Sequence, residues 1–309
     1  MRLLVTGASG FIGRNLLLAV PHDWEVVATF RETDLVPFCR EHGLVHVRPV
    51  RADLGGERLD RVLPESFDGC VFLAANGDPA RSVPQPLLDL RSNAASLVAL
   101  LEHVTCGRLV FLSSGAVYHG LRGPVSPASP VSPRLPYAIS KLAAERYLEH
   151  FVETGRVRAG VSVRFFGAYG PHEPPRKIYS RLVRRFAIER RPDFTVTGDG
   201  RNLIDAMYVD DAVRGILAIL ADPVADPGAG TLDLGSGAPL SITDLVQAAA
   251  AAFGLEADVR YEGSVPEYIE FRSVDRTMQD RYAFRPAVGL AEGLQRLAAH
   301  LGARGAAGR

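Results

Sequence analysis

Three glycines spaced three apart, Gly7, Gly10 and Gly13, sit in the run Thr6-Gly7-Ala8-Ser9-Gly10-Phe11-Ile12-Gly13, directly after the apolar stretch Leu3 to Thr6. A strand that hands over to a helix through residues this small lets backbone approach a diphosphate, with the helix's first N–H groups and positive dipole end aimed at it. The loop predicts a β-α-β beginning, and the rest of the first half repeats that rhythm. Short apolar runs at Val26 to Phe30, Val45 to Val47, Cys70 to Ala75, Leu109 to Ser113 and Val161 to Phe166 alternate with helix-length segments. Such runs read as parallel strands buried on both faces, in a doubly wound α/β domain with its ligands at the strand carboxyl ends.

Beyond Phe166 the rhythm breaks into loops such as Tyr169 to Pro175 and Gly198 to Gly200, and Thr231 to Leu234 then reads as a return to the sheet. This predicts a dinucleotide-binding domain over residues 1–166 plus about 204–236, and a smaller, discontinuous substrate domain over about 167–203 plus 237–309. Lys plus Arg number 35 against 35 Asp plus Glu, so no overall field recruits nucleic acid or an anionic membrane. Cys39, Cys70 and Cys106 are an odd number without metal-like spacing, which predicts reduced thiols and no metal site. With no leader pattern and no long apolar segment, a cytoplasmic location is expected.

Tyr137 and Lys141 lie four residues apart, on one face of a helix if the segment is helical. An ammonium there favours phenolate, and a tyrosine so tuned is a general acid or base. Ser113 and Ser114 close the strand that begins at Leu109, and a hydroxyl at that edge can donate to a substrate oxygen while the tyrosine moves its proton. No G-x-S-x-G elbow supports a serine nucleophile. At the end of the second strand, Phe30 is followed by Arg31 where an acid would select NAD. A guanidinium there suits a 2′-phosphate, so NADP is expected, with NAD possible. Asp53-Leu54, after the third strand, is placed to receive adenine. Pro124, Pro127, Pro130, Pro133 and Pro136 predict a stiff loop walling the site before Tyr137. His119 and His172 are read as surface or hydrogen-bonded histidines and not as proton carriers.

As an ordered set, the opening T-G-A-S-G-F-I-G, Leu73-Ala74-Ala75, Asn93, S-S-G-A-V-Y, Y-x-x-x-K, Arg164 to Pro171 and Tyr208-Val209-Asp210-Asp211 resemble the extended short-chain dehydrogenase/reductase superfamily, which has a Rossmann fold. The resemblance covers nearly the whole chain. It implies a catalytic Ser114, a proton-transferring Tyr137 and a Lys141 that contacts the nicotinamide ribose and lowers the tyrosine pKa. It also implies that Gly7, Gly10, Phe11, Ile12, Gly13, Leu73, Ala74, Ala75, Asn93, Ser113 and Phe166 surround the cofactor, and that the chain is a homodimer built through four helices. The substrate implied is a nucleotide-activated sugar, with Arg176, Lys177, Arg201 and Arg272 as candidates for its diphosphate. Similar 4,6-dehydratases carry an acidic pair after the catalytic Ser/Thr, where this chain has Gly115 and Ala116; GDP-fucose synthase-like enzymes place a cysteine where Ala116 stands. The asparagine common before the Y-G-P motif is Gly167. The expectation is an NADP-dependent 4-ketoreductase, with a nucleotide-sugar 4-epimerase using the same triad as the alternative. A regulatory NADP-binding protein without turnover would have no need of the triad.

Overall fold

The computed structural model describes residues 1–56, 59–222, 228–265 and 269–307, the last four of these by backbone alone. Its centre is a seven-stranded sheet: β1 (Arg2–Thr6), β2 (Glu25–Phe30), β3 (Val47–Arg51), β4 (Ser66–Phe72), β5 (Thr105–Leu112), β6 (Val157–Phe165) and β7 (Gly228–Leu234). The spatial order is β7-β6-β5-β4-β1-β2-β3, and every pair is parallel. Runs such as Leu3, Leu4 and Val5 are fully buried because helices cover both faces. The helices Phe11–Ala19 and Val209–Leu220 close one core, and Ser96–His103 and Pro136–Glu153 close the other.

The strand order reverses between β1 and β4, the crevice where doubly wound sheets take their ligands. Thr6 ties the two strands there, its Oγ1 accepting from the N–H groups of Leu73 at 3.1 Å and Ala74 at 3.2 Å. Gly7 follows at φ +63°, and a Cβ on it would lie 2.8 Å from the Ala74 nitrogen. Only glycine fits both the torsion and the space.

The third strand differs from the expectation. It runs from Val47 to Arg51, opposite Val26 to Phe30, whereas Val45 is 95% exposed in a turn after Gly43. Pro49 argues against a central strand, but β3 is the sheet's edge, where a missing N–H costs no ladder bond. The fourth strand ends at Phe72, so Leu73 to Ala75 form the loop beyond it.

A third cluster gathers Tyr169, Tyr179, Leu182, Phe186 and Phe194 with Leu245, Val246, Leu294 and Leu297. Its segments bracket the helix Val209–Leu220 and β7 in sequence. The proline-rich stretch is held in place: Arg122–Val125 pairs with Glu270–Ser273, and Val125 packs with Tyr118 and Phe271. Cys39, Cys70 and Cys106 are buried free thiols. No helix of the described residues is long and apolar enough to cross a membrane, and no cluster among them fits a metal ion.

Candidate active site

A cleft of about 1060 Å³ runs from the glycine loop across the carboxyl ends of β1, β4, β5 and β6 to the third cluster. Gly7, Gly10, Phe11, Ile12 and Gly13 line one end. Gly10 caps the helix Phe11–Ala19 without a side-chain bond, so the first-turn N–H groups take no side-chain cap from it. A Cβ at Gly13 would meet the Ala8 backbone at 2.6 Å, which seats that helix tightly against the loop. This cradle of bare backbone at a helix N-terminus fits a dinucleotide diphosphate.

Ser114, Tyr137 and Lys141 line the middle of the cleft. Pro136 starts the Pro136–Glu153 helix at its first turn, where its fixed φ suits and no N–H is missed. Tyr137 and Lys141 therefore share a face, with Nζ 6.0 Å from the phenol ring centre. Lys141 is 3% exposed; Nζ donates to the Leu112 carbonyl at 2.8 Å and lies 4.9 Å from the Phe111 ring. Burial pulls the ammonium pKa down to about 8, against the opposing pull of Asp89 and Glu145. Burial pushes the Tyr137 phenol up, a hydrogen bond with Ser114 pulls it back, and Asp89 adds to the rise. This corrects the expected direction: in the protein itself desolvation dominates, and the bond with Ser114, rather than the nearby ammonium, supplies the offset.

Ser113 also lines the cleft, but its hydroxyl turns inward, donating to Glu145 at 2.5 Å. Glu145 also takes two bonds from Arg164, at 3.1 and 2.8 Å, and Arg164 bonds the Tyr118 hydroxyl at 3.1 Å. Tyr118 in turn donates to Asp233, whose carboxyl is pushed up to about 6 by burial. Tyr137, Lys141 and Glu145 recur every four residues, so one face of the helix carries all three.

Asn93 does not line the cleft. It is fully buried on a π-helical turn, Arg91–Ala95, and its Oδ1 accepts from the N–H of Asn76, which does line it. Leu73, Ala75 and Phe166 face the cleft, and Ala74 packs under Gly7. A Cβ on Gly115 would sit 3.2 Å from the Phe166 ring, so a larger side chain at this position displaces Phe166.

The outer cations fare unevenly. Arg31 lines the cleft, but its guanidinium pairs with Glu32 at 2.9 Å. Asp53 lies off the lining, in a turn where its carboxylate accepts from Gly55 N–H, and Leu54 is buried in the core. Lys177 and Arg176 line the far end, Arg176 reaching across to Asp78 at 3.1 Å. Arg201 pairs with Asp199 off the lining. Arg272 alternates with Phe271: the ring is buried and lines the cleft, so the arginine points outward. Sequence reasoning missed Arg81, Asn202 and Asp205 on the lining and Asp89 behind it. His119 is on the lining, whereas His172 packs against Phe38 at 5.4 Å and His300 at 5.1 Å.

Residues 3–235 match the family described as the NAD dependent epimerase/dehydratase family. A dTDP-glucose 4,6-dehydratase of Streptomyces griseus is 32% identical, over 94% of this chain and 91% of that one. MoeE5, solved with UDP-glucose and NAD, superposes with a TM-score of 0.85 at 29% identity, over 98% of this chain and 99% of that one. The UDP-glucuronic acid 4-epimerase of Bacillus cereus, solved with UDP-glucuronic acid and NAD, gives 0.86 at 25% identity, over 98% of this chain and 100% of that one.

Proposed function

The chain belongs to the NAD dependent epimerase/dehydratase family of nucleotide-sugar enzymes, and within it we propose that the protein is an NAD-dependent 4-epimerase of a uridine diphosphate hexose or hexuronate. The observation that carries this reading is that Ser114, Tyr137 and Lys141 line one cleft with the glycine cradle. Two of the structures it resembles were solved with a uridine diphosphate sugar and NAD. The reading replaces the expected ketoreductase. That expectation rested on Arg31 selecting NADPH, and the guanidinium is already paired with Glu32. Dehydration is disfavoured because the acidic pair is Gly115 and Ala116, and the Phe166 ring crowds the first position.

The glycine cradle and the wall beside it would hold NAD, which would supply reversible transfer of a hydride at the sugar C4. Tyr137 takes the proton of the C4 hydroxyl as that hydride leaves, and gives it back to the ketone oxygen after the sugar has turned over. Ser114 holds the reacting oxygen beside the phenol. Lys141 keeps a positive charge next to the phenolate and is positioned by the Leu112 carbonyl. The substrate diphosphate falls to Arg176 and Lys177 at the far end. Leu87, Ile139 and Tyr147 lie 47–57% exposed on the paired helices Pro86–Leu90 and Pro136–Glu153, and we assign them to a homodimer contact.

The test is incubation with UDP-glucose, and separately UDP-glucuronic acid, with NAD at catalytic amounts and the products read by NMR. Formation of the 4-epimer without net cofactor oxidation or reduction is expected. A 4-ketosugar reduced with stoichiometric NADPH consumption would restore the ketoreductase. Sedimentation of Ile139→Glu against the parent reads the dimer: a monomeric variant is expected, and a parent that sediments as a monomer overturns the contact.

A further inference from the structure

Asp89 is fully buried, 0% exposed, yet its hydrogen-bond partners among the described residues are all neutral. Oδ1 accepts from Asn76 Nδ2 at 2.7 Å and Asn93 Nδ2 at 3.1 Å, and Oδ2 accepts from Ser140 Oγ at 2.6 Å. Asn93 also donates to Ser140 Oγ at 2.8 Å. A carboxylate sealed in this way needs an opposite charge close by, or its desolvation goes uncompensated. Ser140 immediately precedes Lys141, so the carboxylate is fastened to the residue next to a buried ammonium.

We propose that Asp89 is a positioning residue that holds Lys141 as the ammonium ion by its charge, while its bonds fix Asn76, Asn93 and Ser140 behind the reacting oxygen. The charged and titratable groups facing Lys141 are Asp89 from the Pro86–Leu90 helix, Glu145 and Tyr137 from its own helix, and Arg164 from β6 behind Glu145. Tyr137 is faced by Ser114 and Asp89. Both carboxylates pull Lys141 toward its charged form, Asp89 more than Glu145, and Glu145 is also engaged by the Arg164 guanidinium through two bonds. Asp89 has no guanidinium among its bonded partners. Its charge therefore acts on the Tyr137–Lys141 pair, raising the proton affinity of both. An asparagine at this position accepts the same amide bonds but lacks the charge, which separates the electrostatic role from the structural one.

The sequence makes the test direct, because Lys141 and Lys177 are its only lysines. In protein labelled with 13C,15N-lysine, two side-chain signals are expected, and Lys177→Arg assigns them. In the parent, Lys141 should titrate at about 8 and be charged at pH 7. Asp89→Asn should lower that midpoint by about one unit or more and leave Lys177 unmoved, and Asp89→Glu should keep it near the parent. The alkaline limb of the turnover profile should fall with the midpoint. The kinetic arm rests on the proposed epimerase, but the lysine spectrum is read on the protein alone, so the two readings fail separately. A Lys141 already neutral at pH 7 in the parent overturns the proposal, even if Asp89→Asn does not fold. So does a midpoint in Asp89→Asn within about 0.3 unit of the parent, or one displaced as far in Asp89→Glu.

Discussion

The wall carrying Ser114, Tyr137 and Lys141 and the rim carrying Arg31, Arg176 and Lys177 bound the same cleft but are held by different physics. On the wall, the side chains are fixed by strand ends, a helix turn and buried bonds such as Lys141 to the Leu112 carbonyl. On the rim, Arg31 and Arg176 are 55% and 57% exposed and lean on acidic neighbours. Exposed pairs of this kind contribute little and rearrange readily. The proposed chemistry is therefore preorganised on the wall, and the proposed recognition at the rim is adjustable.

Tyr137→Phe should break the comparison most visibly. It keeps the packed ring and removes the oxygen, so turnover should fall about 100- to 10,000-fold with the thermal midpoint nearly unchanged. Activity within tenfold of the parent would deny that the wall carries the proton.

Gly7→Ala tests the fold beneath the wall. The residue stands at φ +63° and a Cβ would lie 2.8 Å from the Ala74 nitrogen, so strain and overlap add. A loss of about 3 kcal/mol in urea unfolding is expected. A loss below about 1 kcal/mol would mean that β1 and β4 are less closely joined than the geometry requires.

What the sequence disclosed follows the same division. Gly7, Ser114, Tyr137 and Lys141 were legible because backbone spacing alone brings them together once a strand and a helix are assigned. Arg201 and Arg272 were not, because a long cation's direction depends on tertiary pairing: Asp199 takes one, and strand alternation turns the other outward. Ser113 looked equivalent to Ser114, and only the position of Glu145 shows that it faces inward. Asp89 gave no signal, since its role depends on a π-helical turn that brings Asn93 back toward Ser140. The strand at β3 was equally hidden, because Pro49 interrupts its apolar run, and an edge position is what lets the sheet tolerate that proline.

Between wall and rim sits Glu173, buried and lining the cleft, where it accepts from the Ser180 N–H at 3.0 Å and its hydroxyl at 2.7 Å. Burial pushes its carboxyl up to about 7 from a usual 4.5, with the Ser180 bonds and Lys177 pulling the other way. The folded state thus binds this proton more tightly than the unfolded chain. Its contribution to stability is fully present below pH 4.5 and is lost as pH rises to about 7. Glu173→Gln should therefore be more stable than the parent at pH 8, by about 1–3 kcal/mol, and equal to it near pH 4.5. A variant less stable than the parent at both pH values would show that the caps on Ser180 outweigh the buried charge.

The smallest effect is expected at Arg31. Its guanidinium is committed to Glu32 at 2.9 Å, and that carboxylate would repel a 2′-phosphate brought to the same place. Arg31→Ala should then change NAD affinity by less than about twofold, since an exposed pair is worth at most about 1 kcal/mol and the adenosine ribose gains nothing from a cation. Titration of both cofactors against parent and variant checks this. Glu32→Gln sharpens it: freeing the arginine should improve NADP binding several-fold while leaving NAD alone. If Arg31→Ala instead weakens NADP by about tenfold or more and spares NAD, the pair with Glu32 opens for a phosphate, and the rim selects the cofactor after all.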